Sequence, residues 1–204
     1  NAKYYNGKTE VTKHDNFLGD FQLSSSFGKL SGELQYRKLF DDKRQINLRL
    51  FAGGFLYNKN ISTYFDFGLD RPTDYLFEHD YLGRSETTGL FSQQSIVSEG
   101  FFKSMLETRT ANQWMTTLNA SANVWNWIEV YGDVGMIKNK NTAEQFVYDS
   151  GVRLNLVTDY FELYFPVYSN NGWEVGEKNY GERIRFIVTF NPDTLIGLFT
   201  RKWF

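Results

Sequence analysis

Residues 114–136 read WMTTLNASANVWNWIEVYGDVGM, and their apolar and polar side chains follow one another in a regular order. From Trp114 to Val124 one face carries Trp114, Thr116, Leu118, Ala120, Ala122 and Val124, and the other carries Met115, Thr117, Asn119, Ser121 and Asn123. After Trp125-Asn126-Trp127 the alternation resumes, with Ile128, Val130, Gly132, Val134 and Met136 against Glu129, Tyr131, Asp133 and Gly135. A period of two places successive side chains on opposite faces of an extended chain, so each half is a strand with one apolar and one polar face. The minimal link between them makes a hairpin.

Working outward, the same period returns. Val152, Leu154 and Leu156 oppose Arg153 and Asn155, while Phe161, Leu163, Phe165 and Val167 oppose Glu162, Tyr164 and Tyr168. Ile184, Phe186, Val188 and Phe190 oppose Arg185 and Thr189, and upstream Leu30, Leu34 and Tyr36 oppose Glu33, Gln35 and Arg37. Ile46, Leu48, Leu50 and Ala52 oppose Asn47 and Arg49. The pattern predicts about ten strands, at residues 16–27, 29–39, 45–57, 61–69, 91–102, 112–125, 127–138, 146–157, 159–169 and 182–190. Most exceed the usual strand of a soluble sheet and match the roughly 9 to 11 tilted residues that cross a bilayer. Links at 125–127 and 157–159 are minimal, whereas 103–111, 139–145 and 169–181 are longer and polar, the unequal ends of an outer-membrane barrel. The 70–90 stretch falls on the short-turn side, and reads as a missed strand near Tyr75–Leu82 or as a long periplasmic or inward-folded loop.

Charge placement separates a confined polar face from a solvated one. All 12 Lys fall at strand ends, in turns or in terminal segments. The mid-strand polar positions hold Glu33, Glu129, Asp133, Asp149 and Glu162 with Arg37, Arg49, Arg153, Arg183 and Arg185. A solvated face uses Lys freely, whereas a confined interior favours Arg, whose planar fork pairs several carboxylates at once. These ten residues are therefore expected to form an internal salt-bridge network lining a barrel lumen. The competing reading makes them ordinary surface charges of a soluble β-sandwich or lipocalin-like barrel.

Trp114, Trp125, Trp127, Tyr148, Tyr160, Phe161, Tyr168 and Trp173 cluster near strand ends, as rings at bilayer interfaces do. Beyond the last strand, Asn191 and Pro192 suit the start of a short helix to Trp203, with Leu195, Ile196, Leu198, Phe199 and Trp203 on one arc. Such a helix fits a membrane interface or one end of a barrel. The terminal Phe204 matches the terminal aromatic of bacterial outer-membrane proteins, although here it follows a helix.

Across 204 residues, 19 Phe, 13 Tyr and 5 Trp accompany a net charge of -2, which gives no electrostatic basis for binding nucleic acid. No apolar run is long enough for a membrane-spanning helix. The absence of Cys excludes a disulfide framework, thiol catalysis and cysteine zinc sites. The two histidines, His14 and His79, lie far apart, and no HExxH, P-loop, nucleophile elbow or GxGxxG occurs. Glu78-His79-Asp80 reads as a solvated loop, because adjacent side chains diverge. No cofactor, metal site or catalysis is expected of this chain.

The phrases Phe65-Asp66-Phe67-Gly68-Leu69 through Tyr81-Leu82-Gly83-Arg84-Ser85-Glu86, then Phe146 to Asn155, Tyr160 to Tyr168 and Arg185 to Phe190, carry a family resemblance. Over residues 63–204 the chain resembles the C-terminal barrel region of large Bacteroidota outer-membrane proteins, in particular those with an upstream M1-type (gluzincin) metallopeptidase-like region. None of that family's zinc or catalytic residues maps onto this sequence. The resemblance implies an anchoring barrel cut from a longer polypeptide, with outer-membrane lipid, the barrel-insertion machinery and an upstream domain as partners.

The expectation is thus an all-β, antiparallel, up-and-down transmembrane β-barrel of about ten strands over residues 1–190, complete or part of a larger barrel, with an amphipathic helix at 191–204. Its function would be to anchor or present an upstream region in the bacterial outer membrane. The alternatives are a small-solute pore and a soluble lipocalin-like ligand-binding barrel.

Overall fold

In the computed structural model, residues 1–41, 44–60, 62–79, 86–95, 100–157 and 161–188 are described. One antiparallel sheet dominates. Its long strands are β1 (Ala2–Thr9), β2 (Lys13–Leu23), β3 (Phe27–Asp41) and β4 (Arg44–Asn58). After a small ladder of β5 (Phe67–Gly68) and β6 (Thr110–Ala111) come β7 (Trp114–Trp125), β8 (Ile128–Lys138), β9 (Gln145–Val157) and β10 (Phe161–Ser169). The sheet ends with β11 (Gly172–Trp173) and β12 (Arg185–Val188), preceded by one helical turn, α1 (Tyr180–Arg183).

The order is β1-β2-β3-β4-β7-β8-β9-β10, and both β11 and β12 lie against the far side of β10. All these pairs are antiparallel and follow chain order, as up-and-down hairpins do. The β7–β8 link turns at Asn126, whose φ of 42° is left-handed, a conformation that Asn tolerates better than most residues. Among the described residues the sheet is not closed, for neither β11 nor β12 pairs with β1.

The register shows which face is which. Glu33, Phe51, Thr117, Gly135 and Val147 follow one another across β3, β4, β7, β8 and β9, as do Gln35, Arg49, Asn119, Asp133 and Asp149 one row on. These rows are covered by the segment that joins β4 to β7. Phe67, Leu69, Phe102, Leu106 and Ala111 of that segment are buried against Met115, Ile137 and Val147 of the wall, with Phe51 and Phe55 packed beside them. We call the covered face inner and the other outer. From β4 onward the inner positions are largely polar and buried, whereas the outer positions are apolar and open. Glu129 and Arg153 are 0% and 1% exposed, against 43% for Leu118 and 40% for Val134. This inverts the polarity of a soluble sheet.

Several expectations are corrected here. The described residues of 61–69 and 91–102 do not form wall strands; short 3-10 turns stand at Thr63–Phe65 and Leu90–Gln93, and Phe67, Leu69 and Phe102 pack against the inner face instead. Of the two readings of the 70–90 stretch, its described residues fit the inward-folded loop: Thr73 Oγ1 donates to the Asp66 carbonyl, and Tyr75 packs on Phe27 and Phe65. Strand β1 was not expected, since Tyr4 and Tyr5 are adjacent and break the alternation. The strand expected at 182–190 begins only at Arg185, after α1. Lys29 and Lys103 lie near a strand end and in a loop, where the sequence places its lysines, yet both are buried. The helix expected at 191–204 lies outside the described residues.

Candidate functional site

Charged and amide side chains of the inner face form three rows across the strands. In the first, Arg37 Nε donates to Asn47 Oδ1 at 2.8 Å, and Asn47 Nδ2 donates to Ser121 Oγ at 3.0 Å. In the second, Arg49 donates to Glu33 Oε2 at 2.7 Å and to Asn119 Oδ1 at 3.0 Å, and Asn119 Nδ2 donates to Asp133 Oδ1 at 2.8 Å. In the third, Arg153 donates to Glu129, which also accepts from Gln45 and Asn155. Arg153 Nη1 reaches the Tyr164 hydroxyl at 3.3 Å and lies 3.8 Å from Glu162, whose Oε2 accepts from the Tyr164 hydroxyl at 2.6 Å. The cross-strand register makes this possible, because Glu129 faces Arg153, Arg153 faces Tyr164, and Asn155 faces Glu162.

Asp149 and Arg185 do something else, which is to hold the covering segment by its backbone. Asp149 Oδ2 accepts from the amides of both Lys103 and Ser104 at 2.7 Å. Arg185 donates to the carbonyls of Lys103 and Ser92, at 3.0 and 3.3 Å. Arg49 serves both purposes, since its guanidinium also lies 5.4 Å from the Phe101 ring. Gly100, at φ 97°, passes so close that a Cβ there would stand 2.6 Å from the Arg49 side chain. Asp133 and Asp149 are direct partners in register, so the second row meets the backbone anchor at this point.

Of the ten residues expected in one network, Glu129, Arg153 and Glu162 are brought together, as are Glu33, Arg49 and Asp133. Arg183 is not with them. It sits in α1, half-exposed, and pairs with Glu174 at 3.1 Å and Glu177 at 4.0 Å. Alternation placed it in a strand because Ile184, Phe186 and Val188 follow it in period two.

Residues not expected complete the site. Lys103 donates to the carbonyls of Gly100 and Phe101 and stands 4.8 Å over the Tyr164 ring. Lys29 donates to the Phe65 carbonyl at 3.1 Å inside a cage of Phe27, Phe55, Phe67 and Tyr75, whose centroids lie 5.1 to 6.0 Å away. Glu174 is buried and receives the Ser169 hydroxyl as well as Arg183. The polar row of β7 pointed to Asn119, but nothing in local sequence marks Lys103 or Glu174.

Between β1–β4 and residues 67–79 lies a cavity of about 200 Å³. Asp20, Lys29, Glu33 and Arg49 line it from the wall, and Phe67, Pro72 and Tyr75 from the covering segment. Burial pushes the Tyr75 phenol up to about 12, so it stays protonated and donates to Gln22. Burial also raises the Asp66 carboxyl above its ordinary range, against the opposing Asn58 amide and Lys29 charge. Lys3 closes the rim by pairing with Glu78 at 2.5 Å. The Glu78-His79-Asp80 stretch therefore borders this cavity through Glu78 and His79, and Asp80 lies outside the described residues.

Chemically, the arrangement neutralises charges and anchors a backbone. No group of three His, Asp or Glu side chains that could hold a metal ion occurs among the described residues. Compared with protein-family models, with curated proteins and with solved structures, the chain matches none.

Proposed function

We propose that this chain is an outer-membrane β-barrel segment that anchors or presents an upstream region, with no catalysis of its own. The single observation that carries the reading is the inverted polarity of the wall. Leu48, Leu50, Leu118, Val130, Val134, Met136, Leu156 and Phe161 stand exposed on the outer face, while Glu129, Asp133, Asp149, Arg153 and Glu162 are buried inside. In water this is unfavourable by the ordinary area rule, and in lipid it is what a spanning wall requires. No helix among the described residues is long and apolar enough to cross a membrane, so strands would have to do so.

Dimensions and aromatic placement agree. On β9 the outer face runs from Phe146 to Leu156, about 33 Å along the strand at ~3.3 Å per residue, and about 25 Å in height at a barrel-like tilt near 40°. At the loop end, rings of Phe146, Tyr148, Tyr168 and Trp173 form a ladder with successive centroids 5.2 to 6.0 Å apart. Trp125 and Trp127 stand exposed at the turn end. Two such belts suit the two headgroup regions of a bilayer.

The buried charges weigh against a soluble lipocalin-like cup, whose interior would be apolar. The covering segment weighs against an open pore, because Phe102, Lys103 and Leu106 occupy the inner face where solute would pass. An M1-type peptidase-like region as the cargo rests on the resemblance of residues 63–204 alone.

The test is refolding into detergent and lipid, read by heat-modifiable gel mobility. The wild-type chain should require detergent and migrate differently unheated. Val134→Arg or Leu118→Arg should lose this behaviour, at a cost of about 2 to 4 kcal/mol near the midplane. A wild-type chain that is monomeric and soluble without detergent would overturn the proposal.

A further inference from the structure

The edges of the sheet carry an inference that rests on the membrane reading and goes beyond it. Counting across the wall among the described residues, β1, β2, β3, β4, β7, β8, β9 and β10 occupy eight positions, and β11 and β12 share a ninth. Every neighbouring pair is antiparallel, so the ninth position runs in the same direction as the first. Fully antiparallel closure needs an even number of positions. The number of strands still to be added is therefore odd.

The two edges are not equivalent. The outer edge of β12 is met by the covering segment, where Ser95 N donates to the Phe186 carbonyl at 2.8 Å and Gln94 forms a parallel bridge with Phe186. The outer edge of β1 meets no strand among those described. Yet β1 continues the wall in both its faces. Lys3 points inward to Glu78 of the covering segment, and Tyr4 points outward onto Phe17, 6.2 Å between ring centroids. Every second backbone amide and carbonyl of β1 thus projects along the wall with no ladder among the described residues to receive it, which hydrocarbon does not tolerate.

Second copies of the chain do not fit this edge. Copies inserted in one membrane with one orientation present their β1 strands in the same direction, so an antiparallel β1–β1 pair would require one copy to be upside down. A two-fold axis along the membrane normal gives parallel strands and turns the charged face of one copy to lipid. Packing β12 of one copy on β1 of the next is again parallel. The occupant must run opposite to β1 and share its polarity of faces, and β1 to β4, like β7 to β10, each lie beside the strand next to them in the chain.

We propose that the free edge of β1 pairs with an amphipathic strand of the same polypeptide that precedes β1, antiparallel to it, with its apolar side chains outward and its polar side chains inward.

The experiment uses the polypeptide as its gene encodes it, reconstituted in phosphatidylcholine vesicles. Residues 1–204 contain no Cys, so a Tyr4→Cys variant can be combined with single cysteines at each position over roughly 25 residues before β1, enough for one strand and its connection. The expected result is a disulfide confined to one or two positions, with all amides of Ala2–Thr9 protected from hydrogen exchange. In residues 1–204 alone, the amides facing away from β2 should exchange at least about a hundredfold faster. No disulfide at any position, fast exchange at β1 in the whole polypeptide, or full protection of β1 in a monomer of residues 1–204 would each overturn the proposal. A protein that does not float with the vesicles at all would instead overturn the membrane reading.

Discussion

Replacing Arg153 with Met removes the cation at the centre of the third row while keeping much of the side chain's bulk. The loss leaves two carboxylates, Glu129 and Glu162, whose side chains are both 0% exposed. Removing one partner of a fully buried pair costs about 3 to 5 kcal/mol, because the remaining charge is stranded away from water. Glu129 keeps the amides of Gln45 and Asn155, and Glu162 keeps the Tyr164 hydroxyl, so the lower end near 3 kcal/mol is expected. Adding Glu129→Gln to Arg153→Met removes both charges of the closer pair. The double variant should then fall short of the sum of the two single losses by about 1 to 3 kcal/mol. Urea unfolding of the refolded protein, followed by tryptophan fluorescence, measures all three variants. The reasoning fails if Arg153→Met costs less than about 1 kcal/mol, the scale of an exposed pair, or if the two losses simply add.

Three further outcomes follow from other parts of the inner face. Asp149→Leu removes the acceptor for the Lys103 and Ser104 amides, and hydrogen exchange at those two amides should accelerate by about 10- to 100-fold while β8 stays protected; unchanged exchange would show that Asp149 does not hold the segment. Gly151→Ala places a methyl group against the Phe165 carbonyl and the Tyr131 hydroxyl, and should lower stability by about 1 to 3 kcal/mol in the same urea assay. Burial raises the Asp66 carboxyl in the folded state, so its contribution is most favourable below the unfolded value near 3.9 and is lost as pH rises through the folded value. Asp66→Asn should accordingly flatten the stability profile just above pH 4 and stabilise the protein slightly at neutral pH, and an unaltered profile would exclude that role.

The hairpins β7–β8 and β9–β10 were legible because Leu118, Val134, Leu154 and Leu163 each sit opposite a polar neighbour in strict alternation, and the links are short. The preference for Arg over Lys at mid-strand positions points to buried charge, and in the structure Arg153 lies buried beside Glu129 and Glu162. What alternation does not encode is the side on which a second layer packs. Phe65, Phe67 and Leu69 alternate as a strand does, yet they cover the wall instead of belonging to it. Nor does sequence spacing tell a charge that pairs another side chain from one that holds a backbone, which is why Asp149 and Arg185 were expected among the ion pairs. Lys103 was read as part of a polar loop, since its burial depends on the Tyr164 ring and the Gly100 carbonyl, both distant or conformational features.

The insertion of the covering segment between β4 and β7 also sets an order of assembly. On either side of it the long strands are joined by links of six residues or fewer, whereas the β4–β7 ladder, from the Gly54–Trp114 pair, closes a loop of about sixty residues, whose chain entropy must be met before any contact rewards it. Local pairing is fast and distant pairing slow, so two sub-sheets, β1–β4 and β7–β12, should form early and meet late along that single seam. The segment grips both, through Lys29 and Arg49 on one side and Asp149 and Arg185 on the other. It is thus a template on which the two halves are aligned, and a break introduced within it should slow their joining far more than it weakens either half.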